Sequence, residues 1–322
     1  MSPVSEPAAA AVTARVPAKV NLQLAVGPVR ADGFHSLVTV FHAVSLFDEV
    51  TVGRAERTAL TVTGEDAAAV PADDTNLAWR AAAALAAAAG ISDRDAGVSI
   101  DIRKRIPVAA GMAGGSADAA ATLVACNELW AAGLSADELS QLGAELGSDV
   151  PFALAGGTVV GRGRGEDLTR ALAAGSYHWA LAFASGGLST AQVYATCDRL
   201  RAARAESGEQ PAVPEPVLSR DLMAALRSGD PIAVGPLLTN DLQPAALSLQ
   251  PELRRTLAAG REYGALGAIV SGSGPTCAFL AKSAPHAREI AVALTGAGVC
   301  RAVARATGPV PGATLARPDQ TS

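Results

Sequence analysis

The chain has 322 residues, of which 49% are hydrophobic and 18% charged, and a net charge of −5. That composition points to a folded globular protein rather than a disordered one, long enough for two domains sharing a substantial core or for one large domain. The acidic balance gives no general pull toward nucleic acid or an acidic membrane surface, and the basic clusters at Arg103 to Arg105 and Arg162 to Arg164 are short, although local anion binding stays open.

Cys126, Cys197, Cys277 and Cys300 show no C-x-x-C spacing, so buried free thiols are expected rather than a disulfide framework or a zinc knuckle. The N-terminus has no basic segment leading into an apolar core, and no later stretch reaches membrane length. The expectation is a soluble cytoplasmic protein, monomer or weak homodimer, with no nucleic-acid or membrane partner.

A Pro/Ala leader over residues 1–14 precedes AKVNLQLAV, which alternates cleanly: Val20, Leu22, Leu24 and Val26 on one face, Lys19, Asn21 and Gln23 on the other. This reads as a half-buried strand. After the turn RADGFHS, the stretches FHAVSLFDEVTV and ALTVTG read as further strands. An alanine-dominated helix is expected from Asn76 to Ala89 with Gly90 as its stop. VSIDIRK comes next as a strand, with Val98, Ile100 and Ile102 on one face, and leads into a loop containing Gly111, Gly114 and Gly115. Ser116 is the expected N-cap of a helix running to about Ala132, with Gly133 beyond it. Ser135 and Glu138 form a capping-box pattern for the next helix, which Gly147 ends just before SDVPF.

From about Thr169 the pattern changes. HWALAFASGG reads as strand and loop, STAQVYATCDRL as a capped helix, and AESGEQPAVPEPV as a polar, Pro-rich excursion. Helices are expected around Leu222 to Leu226 and Pro251 to Gly260. LGAIVSGSGPTCAFLA reads as two strands around a tight Gly-rich turn, VCRAVARAT as a last strand, and residues 308–322 as a flexible tail. The implied domain division is 15–168 and 169–307.

The order strand, Gly-rich loop, helix bears on chemistry. Glycines admit φ > 0 and remove the Cβ atoms that would hold a ligand away, and the first turn of a helix supplies unpaired N–H donors and a positive dipole end. A di- or triphosphate fits such a mouth, but so does a plain strand-to-helix turn. The spacing is neither a Walker A loop nor a Rossmann turn. Ser116 reads as a cap or as a hydroxyl for a phosphate or Mg²⁺.

PVAAGMAGGSADAA, from Pro107 to Ala120, resembles the ATP-binding motif of the GHMP kinases, a superfamily of small-molecule kinases. Taken in order with PAKVNLQLAV, RADGFHSLVTVF, LGSDVPFALAGGTVVGRGRGE and SGSGPT, it is similar to one branch of that family from about Pro17 to Thr307. The resemblance implies an α+β, two-domain GHMP kinase fold: an N-terminal domain like the second domain of ribosomal protein S5 and a C-terminal ferredoxin-like domain. It implies transfer of a phosphoryl group from ATP to an alcohol of an acceptor bearing a cytidine diphosphate group, in isoprenoid precursor synthesis.

By the same resemblance, Lys19 and Asp149 form the catalytic pair, and Asn21, Phe34 and His35 belong to the substrate site, with DGFH holding the base. The ATP loop comprises Pro107, Val108, Ala109, Ala110, Gly111, Met112, Ala113, Gly114, Gly115, Ser116 and Ala117. The sequence departs from the family where Met112-Ala113 replaces Leu-Gly, where Ala117 replaces a second serine, and where Phe34 replaces a tyrosine. Other acceptors within the family (homoserine, mevalonate, a sugar) are the alternative, as is a silent nucleotide-binding protein of the same fold.

Read without the resemblance, these residues keep a plainer reading too. Asp149 before Val150-Pro151 is equally an aspartate in a turn, though an extended corner there would present its carboxylate rigidly. Lys19 and Asn21 share the polar face of a strand, which water alone would explain. SGSGPT, from Ser271 to Thr276, is equally a hairpin turn. The four histidines form no metal-ligating pattern, so no protein metal site is expected, and Mg²⁺ would be held mainly by ATP phosphates.

Overall fold

Two long antiparallel strands organise the computed structural model, which describes residues 11–208 and 213–316. They are β1 (Val12–Val29) and β2 (His35–Arg54). The first helical layer and its sheet continue with β3 (Ala59–Gly64), α1 (Leu77–Ala88), β4 (Val98–Lys104), α2 (Gly114–Leu129), α3 (Ala136–Leu146), α4 (Val150–Ala155), β5 (Thr158–Gly163) and β6 (Asp167–Arg170). Next come β7 (Tyr177–Phe183), α5 (Thr190–Glu206), α6 (Arg220–Ser228), α7 (Pro231–Val234), β8 (Thr239–Asn240), α8 (Gln243–Leu249) and α9 (Leu253–Glu262). The chain closes with β9 (Gly267–Val270), β10 (Cys277–Ala281), α10 (Ala284–Gly296), β11 (Ala302–Gly308) and β12 (Thr314–Leu315).

Among the described residues the strands form two sheets. The first runs β12-β1-β2-β4-β3, with β5 and then β6 branching from β2 and β8 parallel to β1; the second runs β11-β7-β10-β9. Helices α1 and α2 pack into the core of the first sheet. The α2 segment from Ala117 to Leu123 is buried at every position, so it carries no amphipathic stripe. The second sheet is covered on both faces. Trp179, Leu181 and Phe183 of β7 enter the core shared with the first unit, while Ala180 and Ala182 face Leu253, Leu257, Ile290 and Leu294 from α9 and α10. That alternation along one strand is what welds the two units together.

The alternation expected along β1 breaks at Leu22. Asn21 lies opposite Phe41 and Gln23 opposite Val40, so Leu22 is an extra residue in the ladder. A β-bulge shifts side-chain parity for the residues beyond it. Val20 and Leu22 therefore sit in the main core, whereas Leu24 and Val26 join Val193, Cys197, Leu242 and Ala245 of the second unit. The strand is buried on both faces, not half-buried: Lys19, Asn21 and Gln23 are each 5% exposed or less.

Several expectations change. β1 already begins at Val12, and its Ala14 pairs with Leu315, so β1 and β12 meet on one sheet edge. Within the tail expected from residue 308, Thr314 and Leu315 form β12 and Pro311 is bridged to Gly156. Residues 1–10 of the leader and 317–322 of the tail lie outside the described residues. The boundary expected at 168 falls inside β6, and β8 returns from the second half to pair with β1. The helix α10, capped by the Ser283 hydroxyl, and the hairpin of β5 and β6 had no counterpart in the sequence reading. The capping box of Ser135 and Glu138 forms as expected.

At the end of β4 the chain buries a charged triad. The Lys104 ammonium lies 2.5 Å from Asp48 and 2.7 Å from Asp118, and all three side chains are at most 3% exposed. The other Asp48 oxygen accepts the N–H groups of Arg105 and Ile106. Burial alone would lower the Lys104 pKa, but the carboxylates of Asp118 and Asp48 hold it above the ordinary lysine value. Burial pushes the Asp118 carboxyl well up, with Lys104 opposing. Removing the single cation leaves two buried carboxylates without compensation. Lys104→Met is therefore expected to lose about 3–5 kcal/mol of stability, read from urea unfolding.

Candidate active site

The loop between β4 and α2 is held from behind. The carbonyls of Ala109, Ala110 and Met112 accept the backbone N–H groups of Leu188, Thr276 and Lys19, and that of Gly111 accepts the Ser271 hydroxyl at 3.1 Å. In a planar trans peptide the carbonyl and the following N–H point in opposite directions. The N–H groups of Ala110, Gly111, Met112 and Ala113 are thus turned away from those partners. Beyond them, the first N–H groups of α2 have no intrahelical acceptor.

The left-handed backbone falls at Ala109, Gly111 and Ala113, and not at Gly114 or Gly115. Gly111 is required by a close approach: a Cβ there would lie 2.1 Å from the Ser271 carbonyl oxygen. Gly272 answers it from the opposite side, with φ +55°, where a Cβ would lie 2.7 Å from the Lys19 ammonium. The N-cap of α2 is Ala113, which makes no side-chain cap. Ser116, expected as the cap, sits instead in the first turn with its hydroxyl free of that duty.

Beside this mouth, Lys19 is buried on β1. Its ammonium donates to Asn21 Oδ1 at 2.5 Å, and Asn21 Nδ2 donates to Thr39 Oγ1 at 2.8 Å. The Thr39 hydroxyl donates in turn to the Gln23 carbonyl, which fixes the orientation of the Asn21 amide. Burial lowers the Lys19 pKa, and the negative charge of Asp149 acts against that shift. Asp149 stands between α3 and α4 in a helical conformation (φ −90°, ψ −8°), not at the extended corner expected from Val150-Pro151. Proline in a first helical turn forfeits no hydrogen bond, so the chain enters α4 directly. The Asp149 carboxylate caps nothing and stays available to the cleft. The preceding Gly147 runs past Ser116: a Cβ there would lie 3.8 Å from its hydroxyl.

The far end of the cleft is aromatic. Phe34 is 53% exposed, and the Arg164 guanidinium lies 5.2 Å from its ring centre. His35 packs 5.0 Å from the Tyr194 ring and is hydrogen-bonded to Asp198 at 2.9 Å.

Lys19, Asn21, Phe34, His35, Ala109, Ala110, Gly111, Ala113, Gly114, Gly115, Ser116 and Asp149 line this one cleft of about 1140 Å³. Pro107 and Val108 face a second cavity of about 590 Å³ on the other side of the loop, which Ala109 and Ala110 also border. Met112 and Ala117 do not reach the cleft; both are 1% exposed in the main core. The sequence departures at these two positions therefore change packing, and a second hydroxyl at 117 would not stand at the helix mouth.

Sequence reasoning missed Thr39, Arg164, Tyr194 and Asp198. The last two are four residues apart on α5, so they share a helix face, and that spacing was a readable signal. Among the described residues no group of three or more His, Cys, Asp or Glu side chains could hold a metal ion. No helix among them is long and apolar enough to cross a membrane.

Comparison with known proteins gives the same architecture a family. Residues 76–157 match the GHMP kinases N terminal domain, and residues 222–300 match the GHMP kinases C terminal domain. A relative from Mycolicibacterium smegmatis named 4-diphosphocytidyl-2-C-methyl-D-erythritol kinase is 59% identical over 302 residues, covering 94% of this chain and 91% of its own. One of the same name from Thermobifida fusca is 58% identical, covering 94% and 98%. A crystal structure of 4-(cytidine 5'-diphospho)-2C-methyl-D-erythritol kinase superposes with a TM-score of 0.72 at 35% identity, over 91% of this chain and 98% of that one. Homoserine kinase from Cytophaga hutchinsonii shares the fold, with a TM-score of 0.70 at 19% identity over 98% and 100% of the two chains. The chain belongs to the GHMP kinases, ATP-dependent kinases of small molecules, and within them to the family of these 4-diphosphocytidyl-2-C-methyl-D-erythritol kinases.

Proposed function

We propose that the protein transfers the γ-phosphoryl group of ATP to the 2-hydroxyl of 4-diphosphocytidyl-2-C-methyl-D-erythritol, giving the 2-phosphate and ADP. The observation that carries this reading is the layout of one cleft. A mouth of free amides lies at one end, an aromatic wall at the other, and Lys19 and Asp149 line the cleft with both. Phosphoryl transfer asks for little else than a donor cradle, charge neutralisation and an oriented acceptor hydroxyl.

Within the loop from Pro107 to Ser116, the N–H groups of Ala110 to Ala113 and the first turn of α2 take the triphosphate, with the Ser116 hydroxyl adding a donor. Phe34 and His35 take the pyrimidine end, where a ring face and an imidazole suit a base. Asn21, fixed by Thr39, orients the acceptor. Asp149 removes the proton from the attacking hydroxyl as the new O–P bond forms and the bond to the β-phosphate oxygen breaks, releasing ADP. The Lys19 ammonium meets the negative charge that develops on the oxygens.

Mg²⁺ fits the hard oxygen donors beside the helix mouth, Ser116 and Asp149, and with no carboxylate cage among the described residues most of its ligands come from the phosphates and water. Bound there, it would supply neutralisation of phosphate charge.

Asp149→Asn is expected to lower kcat by about 10²–10⁴-fold with the KM for ATP little changed, measured by coupled ADP release with the cytidine diphosphate acceptor. Undiminished turnover in that variant would remove Asp149 as the base. Turnover confined to homoserine or mevalonate would move the acceptor elsewhere in the family, and a folded, ATP-binding parent without any turnover would be a silent binder. Lys19 generates a second expectation. Its lowered pKa means that it loses its proton at a lower pH than an ordinary lysine, so kcat/KM should fall on an alkaline limb placed below that value. Lys19→Arg should reduce the rate and move that limb to higher pH, because a guanidinium stays charged.

A further inference from the structure

The aromatic end of the cleft contains a hydrogen bond that phosphoryl transfer itself does not need. His35 Nε2 and Asp198 Oδ1 are 2.9 Å apart. The imidazole is 8% exposed and the carboxylate 43%, so the histidine is the buried member of the pair. They come from different parts of the chain: His35 opens β2, whereas Asp198 lies on α5. On α5, Asp198 follows Tyr194 by one helical turn, and the Tyr194 ring lies 5.0 Å from the imidazole at 33°. One helix face therefore holds His35 by an edge contact and by a flank contact, which leaves the ring little freedom to rotate.

A carboxylate oxygen accepts hydrogen bonds and does not donate them. With Nε2 facing Asp198, the proton of the neutral imidazole resides on Nε2, and Nδ1 is left as an acceptor. No described residue is hydrogen-bonded to Nδ1, and His35 lines the cleft beside Phe34. A lone acceptor at a base-binding end discriminates between pyrimidines. The exocyclic N4 amine of cytosine donates to it, whereas uracil presents a carbonyl oxygen at the same place, and two facing acceptors repel. Fixing the acceptor thus converts a tolerant aromatic slot into a selective one, because the wrong ligand leaves a buried polar group unpaired.

We propose that Asp198 is a positioning residue that fixes the ring orientation and tautomer of His35, and that through it the cleft selects cytosine over uracil in the acceptor. This rests on the cytidine-bearing acceptor proposed for the cleft. Asp198 touches neither reacting group; it acts only through the histidine.

The test uses the full chain with ATP and two acceptors, the cytidine diphosphate compound and its uridine counterpart. In Asp198→Ala the KM for the cytidine acceptor should rise about 10-fold, the preference for cytidine over uridine should fall about 10-fold, and kcat should stay within about 2-fold, the size expected for one lost hydrogen bond. An unchanged KM for ATP shows that the variant is folded. Asp198→Asn, which keeps an acceptor oxygen, should recover most of the preference. Nitrogen NMR of labelled imidazoles, with the His35 signals assigned by His35→Gln, should show the proton of the parent on Nε2 and tautomer averaging in Asp198→Ala. An unaltered cytidine preference in Asp198→Ala, or a parent His35 carrying its proton on Nδ1, would overturn the proposal. A parent that turns over neither acceptor would instead overturn the reading of the acceptor, so the two failures are distinguishable.

Discussion

Everything at the site depends on the close approach of two backbone turns, the loop before α2 and the segment from Ser271 to Gly274. They meet where neither side has room for a Cβ: Gly111 against the Ser271 carbonyl, and Gly272 against the Lys19 ammonium and the Gly111 carbonyl. The contact is sealed by hydrogen bonds from the Ser271 hydroxyl to Gly111 and from Thr276 N–H to the Ala110 carbonyl. Asn240 completes the arrangement from the second unit, donating to the carbonyls of Val270 and Gly272 at 2.7 Å each. Because the loop's carbonyls are spent on this scaffold, its N–H groups are the polar atoms left over. The anion-binding character of the loop is therefore a consequence of how its back is fastened, and the glycines matter first for letting the two halves of the molecule touch.

The bulge at Leu22 performs a related task on β1. Without it, Lys19, Asn21 and Gln23 would share one face of the strand. With it, Leu24 lines the cleft, while Gln23 turns to bind the Val217 carbonyl and the Ser219 N–H of the second unit. One strand thus offers two polar residues to chemistry and one to domain attachment. The next residues, Leu24 and Val26, build a separate apolar contact with α5 and α8. That contact holds α5, and with it Tyr194 and Asp198, at the aromatic end.

Much of this was legible in the sequence, for identifiable reasons. The order strand, glycine loop, helix and the alternation around Lys19 are local signals, and local signals survive folding. The capping box at Ser135 and Glu138 is another. The illegible part depends on contacts between distant segments. The parity shift at Leu22 is invisible in a stretch whose hydrophobic alternation is itself perfect. Ser116 matched a cap by type, yet Ala113 takes the left-handed position because the loop is pinned three residues earlier than its composition suggested. Residues 308–316 read as part of a flexible tail, but Thr314 and Leu315 join the first sheet because β1 begins early enough to pair with them. Thr39, Arg164 and Asp198 belong to the site only through the way the sheets and α5 converge.

The two buried lysines show how one chain uses the same side chain for opposite ends. Lys104 has two carboxylates within 2.7 Å, and together they outweigh the effect of burial, so it stays charged and anchors β4 and α2 beneath the loop. Lys19 has no such pair. Its direct partner is the neutral amide of Asn21, and Asp149 acts on it without prevailing over burial, so its proton is held less firmly. A cation tied by two carboxylates has little to offer an incoming anion, because its field is already cancelled. One left under-compensated in a low-dielectric wall gains most when negative charge arrives. The difference in partners, more than burial itself, separates the lysine that builds the cradle from the one that faces the reaction.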